Sequence, residues 1–324
     1  MKRAFITGIA GQDGSYLAEH LLAAGYEVYG IVRRNSVPEH QESRLHHIES
    51  QLHLMYGDVT DFHSVCAALA VAKPDEVYNL AAQSHVRISS DVPIFTANTN
   101  AVGVLNVLES CRLVCPHTRF YQASSSEMFG NSLDDDGFQR ESTPMRPVSP
   151  YGCAKVYAYH IVRHYRNAHK MFAANGILFN HESPRRGSNF VTSKIVRGAV
   201  AIKQGRQNVL ELGNMESFRD WGHSKDYTRA MMMILAHDVP DDFVVATGTT
   251  HSVSEFCELV FKRLGLGDWQ RFVVTNPKFV RPEELKYLRG DSTKIRQVLG
   301  WEPQISFTQM VDEMVDFWEN MLSE

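Results

Sequence analysis

Apolar residues along this chain fall in short runs separated by stretches of helical spacing. RAFITG, EVYGIV, LHLMYGD, EVYNLAA and RFYQASSS are each of strand length, and each borders a segment whose apolar positions recur with helical periodicity. The alternation predicts successive βαβ units, and therefore an α/β fold on a doubly wound, Rossmann-type parallel sheet. From about Phe172 it continues through GILFNHES, and long polar stretches bearing Gly and Pro then interrupt it. Those stretches read as a smaller lobe laid over the carboxyl edge of the sheet. VLELGN and DDFVVATG are strand-like runs that suit either part, so the two are expected to interleave. Residues 1–172 then form the dinucleotide-binding domain, which also receives parts of roughly 173–183 and 214–250, while 184–324 form mainly a substrate-binding lobe.

Composition changes this picture little. With 324 residues and 44% hydrophobic content, the chain can bury a large core and a smaller one. A formal charge of -4 and a pI near 6.4 give no electrostatic reason to expect nucleic acid or an anionic membrane as a partner. Any anionic ligand must be met by local cations. No run approaches the roughly 18 apolar residues that a spanning helix needs, and the expected location is the cytoplasm. The five cysteines, Cys66, Cys111, Cys115, Cys153 and Cys257, are scattered and read as reduced thiols, with no metal spacing among them. The acidic run Asp134 to Asp136 reads as a solvated loop.

The first strand runs into Gly8-Ile9-Ala10-Gly11-Gln12-Asp13-Gly14 and then into a helical segment, the G-x-x-G-x-x-G spacing of a strand-to-helix turn. Glycines there allow the tight turn and let a pyrophosphate approach backbone amides at the positive helix end, with Gln12 and Asp13 in the same loop. The second strand ends in Arg33-Arg34-Asn35-Ser36, where an NAD site would carry an acidic residue for the ribose diol. Two guanidinium groups suit a 2′-phosphate and favour NADP; the bland alternative is a basic surface turn. Asp58 and Val59 follow the third strand, where adenine is met. Leu80-Ala81-Ala82-Gln83-Ser84 end the fourth, where small residues admit the cofactor's ribose.

Tyr151 and Lys155 stand four apart, on one face of a helix. An ammonium beside a phenol favours phenolate, so Tyr151 can take a proton from a sugar hydroxyl, and Lys155 can also hold the nicotinamide ribose. Just upstream, Ser124-Ser125-Ser126-Glu127 bring a hydroxyl and a carboxylate to a strand's carboxyl end. A simple dehydrogenase has no task for Glu127, whereas a dehydratase needs a base beside a ketone; a surface charge is the equal alternative.

Taken with TGIAGQDGSYLAEHLL, GIVRRNS, NLAAQSHV, YQASSSEMFG, SPYGCAK, GILFNHESPRRGSNFVT, FRDWGHSKDY and RPEE, these residues resemble the GDP-mannose 4,6-dehydratase family of extended short-chain dehydrogenases. The glycine loop and Tyr-x-x-x-Lys mark only the superfamily, while the strings around His181 and Trp221 are unusual. The resemblance implies a redox-neutral elimination with NADP, giving GDP-4-keto-6-deoxymannose from GDP-mannose through Ser125, Glu127, Tyr151 and Lys155. It adds His181 and Arg186 to the cofactor contacts; for His181 a satisfied core histidine is the alternative. It places GDP recognition on Asn180, Asn189, Val191, Lys194, Arg219, Arg281 and Glu284, and hexose contacts on Gln83, Ser84, His85 and Ser126.

The chain departs from the family pattern at Ser125, where a threonine is usual, and at Phe95, where a tyrosine tends to approach the cofactor. Serine keeps the hydroxyl but loses the methyl that restricts its rotamer. The resemblance further implies a homodimer through paired helices, or a homotetramer, with the loop from Arg33 to Arg44 reaching a neighbouring subunit. Three other readings stay open: a dehydratase of another GDP-sugar such as a heptose, a 4-keto-sugar reductase or epimerase, and a non-catalytic nucleotide-sugar-binding regulator.

Overall fold

The computed structural model describes residues 1–34, 44–279 and 283–322. Strands β1 (Arg3–Thr7), β2 (Glu27–Val32), β3 (Leu52–Tyr56), β4 (Glu76–Asn79), β5 (Arg119–Ser125) and β6 (Ala173–Leu178) join Asp242–Val245 in one sheet of seven, every neighbouring pair parallel. Its order is Asp242–Val245, β6, β5, β4, β1, β2, β3, the doubly wound arrangement that the alternation predicts. Alternate residues serve opposite faces. Ala4 and Ile6 of β1 pack with α1 (Gln12–Ala23) and the helix Ser224–Ala236, while Phe5 faces the other way, toward α2 (Phe62–Ala72), α3 (Gly103–Val114) and α4 (Pro150–Ala168). Helices on both faces bury the inner strands, which is why those read as nearly continuous apolar runs, while the edge strand β3 stays partly exposed, with Tyr56 open to solvent.

The smaller lobe has its own core, in which Ile195, Phe256, Val260 and Met314 join the helices α5 (Val191–Lys203), Val253–Arg263 and Phe307–Met321. The chain enters it directly from the central sheet. β6 ends at Leu178, and β7 (Asn180–Glu182) already pairs in parallel with Phe218–His223 of a second sheet. Of the two runs that suited either part, VLELGN supplies Leu210–Leu212, paired with Val273–Thr275, and DDFVVATG supplies Asp242–Val245 of the central sheet. Within 214–250 the strand Phe218–His223 belongs to the small sheet, whereas the helix Ser224–Ala236 returns to the central core.

The turn from β1 into α1 depends on close backbone approach. A Cβ on Gly14 would stand 2.3 Å from the Gly8 carbonyl oxygen and 2.6 Å from Ile9 Cα, both backbone atoms that cannot swing aside. Alanine in a helix is otherwise favoured over glycine by about 1 kcal/mol. Overpacking costs about 1–3 kcal/mol, so the clash decides the sign. Gly14→Ala is expected to lower the urea midpoint of unfolding; an unchanged or raised midpoint would refute the close-packing account.

Candidate active site

The glycine loop is latched to the neighbouring strand end before any ligand is considered. Gly8 sits at φ +71°, and a Cβ there would lie 2.9 Å from Ala81 N. The Thr7 hydroxyl accepts from the amides of Leu80 and Ala81 at 3.1 Å each and donates to Asn79 Oδ1 at 2.6 Å. Gly11 caps α1 with no side-chain hydrogen bond, leaving helix-end amides for an anion. Arg33 and Arg34 are exposed where β2 ends. An open glycine loop, an uncapped helix end and two cations in place of an acid fit a dinucleotide with a 2′-phosphate.

Asp13 and Gln12 are committed elsewhere. Asp13 Oδ2 meets His181 Nε2 at 2.8 Å and Oδ1 accepts from the Ser224 hydroxyl at 2.7 Å, while His181 Nδ1 meets the Phe179 carbonyl at 2.7 Å. Both imidazole nitrogens face acceptors, so the ring is satisfied as an imidazolium. Burial alone would raise the Asp13 carboxyl, but the charge and hydrogen bond of His181, with Ser224, outweigh it and hold it at about 2. The same pairing outweighs burial at His181 and raises its pKa. Tyr227 stacks on the imidazole at 4.6 Å between ring centres. Gln12 donates to the His181 carbonyl at 3.1 Å and accepts from Ser183 at 2.8 Å. Asp13 and His181 still line the cleft described next, at its edge nearest the loop.

Ser125 and Glu127 stand where β5 gives way to a single 3-10 turn, Ser126–Met128, whose start is fixed by the Glu127 amide donating to Ser125 Oγ at 3.2 Å. α4 opens with Ser149 as its cap, accepting from Gly152 N at 3.0 Å, and with Pro150 in the first turn. A Cβ on Gly152 would lie 2.9 Å from the Glu127 carbonyl oxygen, so this glycine lets the helix bearing Tyr151 and Lys155 close on the strand end bearing Glu127. Lys155 Nζ donates to the Ala123 carbonyl at 2.7 Å and lies 5.7 Å from the Tyr151 ring centre. Burial pushes the Tyr151 phenol up to about 12 against the lowering hydrogen bond from Ser125. Burial also pulls Lys155 down to about 8, opposed by the charge of Asp13. By itself the site therefore holds a neutral phenol at pH 7.

These side chains line one cleft of about 290 Å³ at the carboxyl edge of the sheet. Leu80, Ala82, Ser84, His85, Ser126, Asn180, Arg186, Asn189, Val191, Lys194, Arg219 and Glu284 line it too, so residues of both lobes converge there. Gly8, Gly11, Gln12, Gly14, Arg33, Arg34, Ala81 and Gln83 lie off the cleft, at or beyond the ends of β1, β2 and β4. Asp58 accepts from Thr60 N at 2.8 Å and shapes its own turn, and Val59 is buried against Gly103. Asn35, Ser36 and Arg281 lie outside the described residues. Phe95 is 45% exposed and off the cleft.

The structure adds cleft residues that the sequence did not single out. Phe190 lies under the Arg186 guanidinium at 3.6 Å, Phe279 under Lys194 at 3.3 Å, and Arg87 faces the cleft beside Glu127. A phenylalanine in a polar loop was the signal for the two aromatics, but nothing local says which cation it will meet.

A family model described as GDP-mannose 4,6 dehydratase matches residues 5–314. The chain belongs to the GDP-mannose 4,6-dehydratase family. Among curated members, GDP-mannose 4,6 dehydratase 2 of Caenorhabditis elegans is 48% identical over 341 residues, spanning 97% of this chain and 88% of that one. GDP-mannose 4,6-dehydratase of Vibrio cholerae is 47% identical over 349 residues, spanning 97% and 93%. The human GDP-mannose 4,6 dehydratase is 47% identical over 337 residues, spanning 96% and 90%. Solved structures of a UDP-glucose 4-epimerase of Thermotoga maritima (23% identity, TM-score 0.86, 98% of this chain and 99% of that one) and a dTDP-glucose 4,6-dehydratase of Bacillus anthracis (22%, 0.85, 99% and 97%) share the fold.

For this family member the part-buried Asp13–His181 pair carries a measurable weight. A hydrogen bond to a charged group contributes about 1.5–3 kcal/mol. Asp13 has a depressed pKa, so its contribution is present above the ordinary carboxyl range and is lost as pH falls toward 2. His181 has a raised pKa, so its contribution is present below about 6.5 and is lost as pH rises through its folded value. Asp13→Asn should therefore lower unfolding stability by about 2 kcal/mol between those limits, with the gap to the parent narrowing in acid. Denaturant titrations from pH 6 down to pH 3 that show a constant gap, or none, would remove the ion pair from this account.

Proposed function

We propose that this chain is an NADP-dependent hydro-lyase that converts GDP-mannose to GDP-4-keto-6-deoxymannose with loss of water. The observation that carries the reading is the placement of Glu127 in the same buried cleft as Tyr151 and Lys155, since an oxidoreductase with no elimination step needs only the phenol and the ammonium. When bound, NADP accepts the C4 hydride and returns it to C6. Tyr151, sharing a hydrogen bond with Ser125, takes the O4 proton as C4 is oxidised. The ketone at C4 acidifies the C5 hydrogen, and Glu127 removes that proton so that the C6 hydroxyl can leave. Lys155 favours the phenolate and holds the nicotinamide ribose; its position against Ala123 O supports this, because the same ammonium has donors left for a second partner. Arg33 and Arg34 hold the 2′-phosphate, Arg186 adds a cofactor contact near the nicotinamide, and Lys194, Arg219 and Glu284 hold GDP, with residues 1–172 mainly serving the dinucleotide and 184–324 the nucleotide sugar.

A homodimer, or a tetramer of dimers, is also proposed. Ile94 (73% exposed), Phe95 and Val102, on turns leading into α3, and Tyr157 on α4 leave apolar surface on adjoining helices, the kind of face that a second copy covers. Among the described residues no helix is long and apolar enough to cross a membrane, and a cytoplasmic location is proposed.

Purified protein given GDP-mannose and a catalytic amount of NADP+ should form the 4-keto-6-deoxy product with no net NADPH. Turnover of a GDP-heptose in place of GDP-mannose would replace the substrate, and tight binding without turnover of either would favour a regulator. Glu127→Gln is expected to show transient NADPH absorbance with no product; normal turnover would take the base role from Glu127. Arg33→Ala with Arg34→Ala should weaken NADP+ much more than NAD+, and equal losses would sink the phosphate assignment.

A further inference from the structure

A side cavity of about 30 Å³ lies behind Glu127. Val86, Arg87 and Glu127 line both this cavity and the main cleft, and Ser90, Val148, Ser149 and Glu283 complete it. Glu127 is only 7% exposed, whereas Ser90 and Glu283 are exposed, so the cavity leads from the carboxylate outward. Its volume suits about one or two water molecules, and the Arg87 guanidinium and the Ser90 and Ser149 hydroxyls offer such waters hydrogen bonds. Arg87 is anchored on the outer side by Asp91 at 2.7 Å.

The proposed reaction, on which this inference rests, makes a demand that the main cleft meets poorly. Glu127 takes the C5 proton and hands it to the hydroxyl leaving C6. The C5–H electron pair becomes the C5–C6 double bond, and the C6–O pair leaves with oxygen, so one water is formed and Glu127 is again a carboxylate. C6 then receives the hydride, the double-bond pair moves to C5, and C5 must take a proton that Glu127 no longer holds. The O4 proton balances the overall equation, but it resides on the Tyr151 phenol. With the sugar nucleotide and the cofactor in the main cleft, one water has to leave and one proton has to arrive at Glu127.

We propose that the cavity bounded by Arg87, Ser90, Ser149 and Glu283 is a solvent port through which the eliminated water departs and a solvent proton reaches Glu127. The Tyr151 proton returns to solvent separately. With the port closed, the nearest proton source to Glu127 is the newly formed water, which carries the substrate's C5 hydrogen, so that hydrogen returns to C5.

The test uses the NADP-loaded protein turning over GDP-mannose in D2O, with product trapped early by borohydride and deuterium at C5 read by mass spectrometry. The parent and Ser90→Ala should place close to one solvent deuterium at C5 in each product molecule. Ser90→Leu and Glu283→Leu, which narrow the port at two residues outside the catalytic set, should lower that incorporation by about threefold or more, with kcat reduced and KM for GDP-mannose within about twofold. Parent-like incorporation in both leucine variants, or return of the original hydrogen by the parent, overturns the port. Failure of the underlying reading looks different: no turnover of GDP-mannose by the parent, or normal turnover by Glu127→Gln.

Discussion

The interaction on which the rest of the molecule depends is the part-buried pair of Asp13 and His181. It joins the first turn of α1 to β7, residues 168 apart in sequence. Gln12 and Ser183 add a hydrogen bond beside it, and Ser224 brings in the start of the helix that returns to the central core. Both the cofactor loop and the entrance to the smaller lobe are thereby held in one frame. The pairing also solves an electrostatic difficulty. A carboxylate in the first turn of a helix whose amides await a phosphate would repel it, and the imidazolium neutralises that carboxylate where it stands.

Around this frame, burial sets the state of the candidate catalytic groups in opposite directions. It raises the Tyr151 phenol to about 12 and lowers the Lys155 ammonium to about 8, so two groups of similar proton affinity in water are driven apart, each toward its neutral form. The Ser125 hydrogen bond opposes the rise at the phenol, and the Asp13 charge opposes the fall at the ammonium. Gly152 brings the helix that bears them against the strand end bearing Ser125 and Glu127, and the absence of its side chain is what permits the approach. Serine in place of the usual threonine is less disruptive here than its lost methyl suggests. Its hydroxyl is held by the Glu127 amide and by Tyr151, contacts that limit the rotamer in the methyl's stead.

Local pattern by itself determined the parallel sheet, the glycine turn, the Tyr151–Lys155 helix face and the cations after β2, because each arises from periodicity or spacing within one segment. Family-specific strings pointed to the dehydratase and to Glu127 before any contact was known. Tertiary structure decided what no segment contains. It committed both nitrogens of His181 to protein acceptors, which gives that residue a structural task in addition to its place at the cleft. It sent VLELGN and DDFVVATG to different sheets, since strands of equal propensity are sorted by which neighbour has an open edge. It set Phe190 and Phe279 under cations and opened a cavity behind Glu127, because such neighbours meet only when distant loops pack. Backbone pattern is a property of the chain; charge pairing and empty space are properties of the packed molecule.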